Sequence, residues 1–482
     1  MRDFRSVLNV IGILLCIEAI AMSIPMFTDL FFGNQDWQIF FFTSIITFFI
    51  GLVLYFSFRN QVTKIKIREA FFLTILSWIV IAFFSSLPFV YSSSNLNYTD
   101  ALFESISGIT TTGSTVILNL DNLNEGILIW RSLLQWFGGI GIIVIALAIL
   151  PTLQIGGMQL LHMEHDDPYE KTLPKINQFI FQIFIIYLVI TIVCAILYYF
   201  FGMSGFDAIA HSMTTISTGG FSTYNSSLGN FNSISIELVC VLFMIVGSLP
   251  FVVYLKFIHG NLKSIFEDEQ IKVFFYILIF SVLVMVFWLE NNINDNLLHS
   301  VRTSLFNITS ILTGTGYTTS NYNAWGGFGL MIMLSIMFIG GSAGSTTGGI
   351  KIFRLLLLFR MARIQIKKLT HPHGVFITSF NSKPVGEDTF NSIMVFFFIY
   401  IIVFIFSAIL LSFFNLDFLT ALSASASAIS NVGPGLGEII GPNGNYSSLQ
   451  KEAKWILSIT MIIGRLELFT FLALISISFW KK

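Results

Sequence analysis

Long apolar runs alternate along this chain with short stretches rich in Thr, Ser and Gly. Runs of roughly 20 residues, enough to cross a hydrocarbon core, lie at about 7–32, 37–58, 70–91, 127–150, 176–202, 233–258, 271–290, 327–362, 390–415 and 454–480. The last eight fall into pairs, and within each pair a short helix and a polar loop are inserted. The first two have no insert and read as an added pair. Each inserted helix, at about ten residues, is too short to cross and must enter and leave from one side, which hydrocarbon tolerates only where protein or a water-filled cavity satisfies the backbone. The pattern predicts an all-α polytopic membrane protein. Four pseudo-symmetric span–pore helix–span repeats would surround one pore, over 67–165, 166–266, 267–385 and 386–482, after an N-terminal two-helix extension over 1–66.

The inserts repeat in register. Asp100–Gly113, Asp207–Gly220, Thr303–Gly316 and Thr420–Gly433 are each fourteen residues ending in glycine, with the glycines 107, 96 and 117 residues apart. Ser107, Thr214, Ser310 and Ser427 occupy the eighth position, and Thr110, Ser217, Thr313 and Ser430 stand three before the glycine. Ile109, Ile216, Leu312 and Ile429 lie between them. Four such copies, each between apolar runs, are four copies of one structural unit. Asp100, Asp207 and Asp417 are expected to cap the short helices.

The loops read TTTGST (110–115), STGGFST (217–223), TGTGYTT (313–319) and SNVGPGLG (430–437). An ion entering a narrow pore sheds water, and rings of backbone carbonyls can replace that shell. Glycine is needed because turning successive carbonyls to one axis requires backbone angles that a Cβ forbids. Thr111, Thr112, Gly113, Thr218, Gly219, Gly220, Gly314, Thr315, Gly316, Asn431, Val432 and Gly433 are therefore the expected selectivity filter, and the short helices aim their negative C-terminal ends at the cavity below. The only metal expected is potassium at that filter. Most outer acids (Asp121, Glu125, Glu290, Asp295, Glu438) are read as solvated loop charges.

Composition agrees with a membrane protein: 482 residues, 55% hydrophobic and 11% charged, with a mean hydropathy of +0.81. Soluble domains carry about 25% charged residues. Of the 25 Lys and Arg, 20 fall on the side opposite the filter loops and four (Arg131, Arg302, Lys451, Lys454) on the filter side. This bias puts the filters outside and both termini in the cytoplasm. Cys16, Cys194 and Cys240 lie in separate apolar runs and suggest no disulfide framework. His162, Glu164 and His165 form a metal-like group without further ligands at suitable spacing, read as interfacial. The basic stretch Lys351–Lys368 is expected to meet lipid headgroups.

Two features lie below the filter. The run 327–362 is longer than one span needs, and its middle, GGSAGSTTGG (340–349), cannot hold a lipid-facing helix. Gly340, Gly341, Gly344, Ser345, Thr346, Thr347, Gly348 and Gly349 are read as a flexible gate. A phosphate loop is excluded, since Lys351 does not follow Gly349 directly and no Ser or Thr follows the Lys. Arg465 sits roughly 15 Å into the last apolar run, where a charge is costly unless it faces a cavity or a partner. Glu467, two residues on, points elsewhere on a helix. Arg465 is expected to face the pore beside the 340–349 loop, donate to freed carbonyls and raise a barrier to cations.

On these motifs the chain resembles the Trk/Ktr/HKT superfamily of potassium transporters, and specifically its TrkH-type membrane subunits, over essentially its whole length. The GRLE around Arg465 is similar too. The resemblance implies a bacterial inner membrane as the location, and a homodimer with one pore per subunit, gated by a cytosolic TrkA-type nucleotide-binding ring. Serine at the first filter glycine marks sodium-preferring plant relatives, so an intact Gly113 implies potassium. The fourth loop departs most from the others, and ideal four-fold symmetry is not expected.

A gated potassium pore is thus the leading expectation, with a sodium- or proton-coupled potassium symporter as the alternative. Carriers usually bury mid-membrane carboxylates, and here the spans hold few besides Glu18 and Glu467. No P-loop or nucleophile–base arrangement points to an enzyme. No cofactor and no nucleic-acid partner are expected; potassium is the substrate.

Overall fold

The computed structural model describes residues 4–59, 66–145, 175–261, 263–293, 296–374, 376–466, 468 and 470–471. The His162, Glu164 and His165 group, Asp295 and Glu467 lie outside the described residues. Long apolar helices dominate. The N-terminal pair comprises α1 (Arg5–Ala21), α2 (Ser23–Phe32) and α3 (Trp37–Phe58). Pro25 lacks the N–H that would continue the ladder from α1, so the helix is interrupted at Met22, but α1 and α2 run on as one span over Arg5–Phe32.

Each repeat follows with an outer span, a short helix and an inner span. The outer spans are α4 (Ile67–Ser85) continued by α5 (Leu87–Tyr91), α8 (Lys175–Phe200), α13 (Glu269–Asn292, after the one-turn α12, Ser264–Glu267) and α17 (Glu387–Phe413). The short helices are α6 (Tyr98–Ile109), α9 (Gly205–Ile216), α14 (Leu297–Leu312) and α18 (Phe418–Ser430). The inner spans are α7 (Glu125–Val144), α10 (Ile234–Ser248) with α11 (Phe251–Ile258), α15 (Gly326–Met337) with α16 (Ile352–Thr370), and α19 (Lys451–Arg465). A two-residue hairpin, β1 (Ser379–Phe380) with β2 (Lys383–Pro384), precedes α17.

Burial separates inner from outer: α7 has 72% of its apolar window buried, whereas the windows of α8, α13 and α17 have 28%. The sparsely buried helices present Phe and Ile outward, as lipid-facing surfaces must. Short helices and inner spans pack in a closed circle, α6–α7–α9–α10–α14–α15–α18–α19 and back to α6. That circle leaves one central axis. Among the described residues seven helices are long and apolar enough to span, or eight with the bent pair α10/α11; the interrupted α15/α16 and the 15-residue α19 are not among them.

Two expectations need correction. The run 233–258 is not one span: it breaks between Ser248 and Phe251 and bends by 92°. Pro250 has no N–H to give and disfavours helix at the residue before it, so Leu249 is extended. Asp100 and Asp207 are not caps. Asn97 and Ser204 cap α6 and α9, accepting from the amides of Asp100 and Asp207, and only Asp417 caps its own helix, through Thr420 N–H. The two acids sit one turn inside, where the helix dipole still favours them.

Candidate functional site

The four short helices end alike. Two residues before each glycine the backbone is left-handed, at Thr111 (φ 53°), Thr218 (50°), Gly314 (68°) and Asn431 (55°). It is so again at Gly113 (87°), Gly220 (77°), Gly316 (80°) and Gly433 (105°). This alternation turns successive carbonyls to one side. Opposite them, amides fold back on the short helices. Thr112, Gly219 and Thr315 N–H donate at 2.9 Å to the carbonyls of Ser107, Thr214 and Ser310, and Val432 donates at 3.0 Å to Ser427. The acceptors are the in-register hydroxyl residues of the repeat.

The loops close on one another. A Cβ on Gly113 would lie 2.2 Å from Gly219 O, on Gly220 1.7 Å from Thr315 O, on Gly316 2.1 Å from Val432 O, and on Gly433 2.7 Å from Thr112 O. Each glycine therefore abuts the carbonyl preceding the glycine of the next repeat, and the fourth returns to the first. Four carbonyl oxygens and four glycines form one cycle. Such a ring can replace the hydration oxygens of an alkali cation.

Behind the ring each short helix braces its own returning loop, a feature the sequence reading missed. In α6, Glu104 accepts from Val116 N–H (2.9 Å), Thr115 Oγ1 (3.0 Å) and Arg131 Nε (2.9 Å), while Arg131 Nη1 donates to Ser222 O (2.8 Å) in the second repeat. Arg131 and Glu104 are 1% and 0% exposed, and the guanidinium lies 4.1 Å from the centroid of the Phe221 ring. The matching residues are His211, whose Nε2 is 2.9 Å from Ser222 Oγ, and Asn307, whose Nδ2 donates to Ser320 Oγ at 3.0 Å. In the fourth repeat Ala424 holds that place, and Ser423 Oγ accepts from Leu436 N–H at 2.9 Å instead. All are the fifth residues of the fourteen-residue stretches or, in the fourth, the residue beside it. Arg131, counted among the outer charges, is thus fully buried.

The fourth repeat departs from symmetry as expected. Gly433 O accepts from Ser114 Oγ (2.8 Å), Ser427 Oγ (2.9 Å) and Tyr446 Oη (2.8 Å). Asn431 Nδ2 reaches Thr112 Oγ1 at 2.9 Å and Met461 O at 3.0 Å. In the second repeat Gln135 Nε2 donates to Gly219 O at 2.6 Å.

Below the ring, the helix of the third repeat stops at Met337 and resumes at Ile352. The intervening loop fills the break in the second repeat. Ser248 O and Gly247 O accept from Ser342 N–H (3.0 Å) and Thr346 N–H (3.2 Å), and Gly344 O accepts from Phe251 N–H (3.0 Å). The loop ties itself together through Gly340 N–H to Ile350 O (2.9 Å), Gly341 N–H to Thr347 Oγ1 (2.9 Å), and Ser345 Oγ with Thr347 Oγ1 (2.9 Å). Gly344 and Gly349 are left-handed (φ 73° and 69°). Thr346 Oγ1 donates to Gly247 O (2.9 Å) and also lies 3.1 Å from Thr218 Oγ1 and from Ile216 O. A Cβ on Gly348 would meet Ser430 O at 2.2 Å. Two short-helix C-termini thus rest on this loop. Arg465, 3% exposed, donates from Nη1 to Thr346 O at 2.9 Å and from Nη2 to Gly138 O at 3.4 Å. Lys351 Nζ donates to Thr347 O and to Thr347 Oγ1 (3.1 Å).

Among the outer acids, Asp121 accepts from Asn225 N–H and Nδ2, Glu125 accepts from Asn34 Nδ2, and Glu290 and Glu438 are exposed. Among the described residues no group of His, Cys, Asp and Glu is arranged to hold a metal ion.

Spans enclosing a cyclic array of short-helix loops define a multi-pass membrane protein of the cation-transport class. The chain belongs to the TrkH family of cation transport proteins, whose model matches residues 37–481. It is 37% identical to the Trk system potassium uptake protein TrkI of Halomonas elongata over 483 residues, covering 100% of this chain and 98% of that one. It is 36% identical to the Trk system potassium uptake protein TrkH of Escherichia coli K12, with 99% and 100% covered. The crystal structure of the potassium transporter TrkH from Vibrio parahaemolyticus superposes with a TM-score of 0.92 at 35% identity, over 100% of both chains.

Proposed function

We propose that this protein takes up potassium through a gated, channel-like pore, with the ring of loop carbonyls as its selectivity filter. The observation that carries this reading is the closed cycle in which each of the four glycines abuts the next repeat's carbonyl. Potassium as the ion is supported by the printed names of relatives alike over their whole length. The loop 340–349 is the gate, lying against the C-terminal carbonyls of α9 and α18, and Arg465 sets a positive charge beside it. The lysine and arginine bias supports filter loops outside and termini in the cytoplasm, and the bacterial Trk relatives support an inner-membrane location. The relatives' designation as Trk system proteins supports an assembly of several components. On this reading the subunit is a homodimer with one pore per protomer and docks a TrkA-type nucleotide-binding ring.

A pore and a symporter differ in the limit of accumulation. An inside-negative potential of 100 mV supplies about 2.3 kcal/mol per charge, about fifty-fold in potassium. Reconstituted protein is expected to reach that ratio and stop, whatever the sodium or proton gradient. Accumulation beyond it on either gradient would establish coupling and remove the pore. Arg465→Ala is expected to raise basal flux, because Thr346 loses its donor and the pathway its fixed charge. A folded variant with unchanged flux would remove the barrier role.

A further inference from the structure

Among the described residues, two side chains from distant parts of the chain bond the backbone of the 340–349 loop. Arg465 holds Thr346 beneath the ring. The second is Gln270, whose Oε1 accepts from Ala343 N–H at 2.8 Å and which is 1% exposed. Gln270 lies in the first turn of α13. Its position is fixed by its surroundings. Asp268 caps α13, accepting from Gln270 N–H (2.8 Å) and Ile271 N–H (3.2 Å) through Oδ1. Asp268 Oδ2 accepts from Asn381 Nδ2 (3.3 Å), and Asn381 Oδ1 accepts from Glu269 N–H (3.0 Å).

Asn381 and Ser382 form the left-handed turn (φ 45° and 65°) of the β1–β2 hairpin, on the basic face of the molecule. Glu269 pairs at 2.9 Å with Arg360 of α16, the helix that leaves the loop, and Arg360 also donates to Ser379 O. Hairpin, α16 and the start of α13 are thus one hydrogen-bonded unit. A cavity of about 450 Å³, lined by Lys256, Asp268, Lys272, Asn381 and Lys383, reaches inward to Ala343. Motion of the unit is therefore not blocked by a packed core on that side.

We propose that Gln270 is the latch of the loop, a positioning residue through which displacement of the β1–β2 hairpin or α16 releases Ala343 and opens the pore. This rests on the reading of 340–349 as the gate. A buried amide losing its acceptor destabilises the closed arrangement, and in the open one the freed Ala343 N–H turns to water in the cavity.

The test measures potassium flux and reversal potential of purified full-length protein in liposomes for the wild type, Gln270→Leu, Gln270→Glu, Asn381→Ala and Arg465→Ala. Gln270→Leu removes the acceptor at similar volume and is expected to raise basal flux about fivefold, one net hydrogen bond's worth, at an unchanged reversal potential. Gln270→Glu keeps an acceptor oxygen and is expected to stay within about twofold of wild type. Asn381→Ala, one step back along the unit, raises flux by less than Gln270→Leu. Raised flux in Arg465→Ala with wild-type flux in Gln270→Leu would overturn the latch and leave the gate standing. Wild-type flux in both would overturn the gate as well. Equal gains in the Leu and Glu variants, or a shifted reversal potential in Gln270→Leu, would reveal general loosening and overturn the latch.

Discussion

At Gly220 and Gly316 the backbone adopts angles that L side chains rarely adopt, and a neighbouring carbonyl occupies the place of a Cβ. An alanine there has no flexible side chain to push aside, because the obstacle is the backbone of the next repeat. Gly316→Ala is expected to lower potassium flux in liposomes by roughly tenfold or more, while the protein still inserts and purifies. Tyr446 acts more gently. Its hydroxyl is one of three donors on Gly433 O, and its ring packs against Phe103 with centroids 5.5 Å apart. Tyr446→Phe keeps the aromatic ring and loosens the fourth-repeat backbone, which on the proposed filter reading blurs discrimination between potassium and sodium. A reversal-potential series is expected to give a permeability ratio lower by about twofold to fivefold, with thermal stability changed by no more than about 1 kcal/mol.

The braces behind the ring matter at the scale of the element. Glu104 and Arg131 join α6, α7 and the loops of two repeats in a site closed to solvent. Glu104→Gln leaves a buried guanidinium without its counter-charge, at a cost of about 3–5 kcal/mol. Thermal unfolding in detergent is expected to register that loss, and adding Arg131→Met to recover most of it. What could be read beforehand follows a physical rule. The short helices and their glycines recur in register, so comparison within the chain exposed them. The brace does not recur: its position holds Glu104, His211 and Asn307, three chemistries for one task, and Ala424 in the fourth repeat leaves the task to its neighbour Ser423. The bend at Pro250 was hidden because the chain on both sides of it is almost wholly apolar over 238–255, and hydropathy does not register a missing N–H. Asp100 and Asp207 looked like caps because Asn97 and Ser204, three residues earlier, lie outside the repeated stretch.

At the scale of the whole molecule, breaks in two inner spans fit one another. The carbonyls of Gly247 and Ser248, released by the bend in the second repeat, take amides of the loop that interrupts the third. Neither interruption would be satisfied alone in hydrocarbon. Straightening the bend is therefore expected to harm the loop and not only α10. Pro250→Ala should lengthen α10 and raise basal flux at unchanged span number, read from proteoliposome flux and from topology reporters at the termini.

The ring is also sealed by residues far apart in the chain. Ser114 meets Gly433, and Tyr446 N–H meets Thr115 O at 2.9 Å. During synthesis the first repeat emerges hundreds of residues before its partner, so a half-made polypeptide lacks the closed ring. On the proposed reading, chains truncated before the fourth repeat carry no ion flux, and a conducting ring is completed only after loop 340–349 and Gln270 have been made.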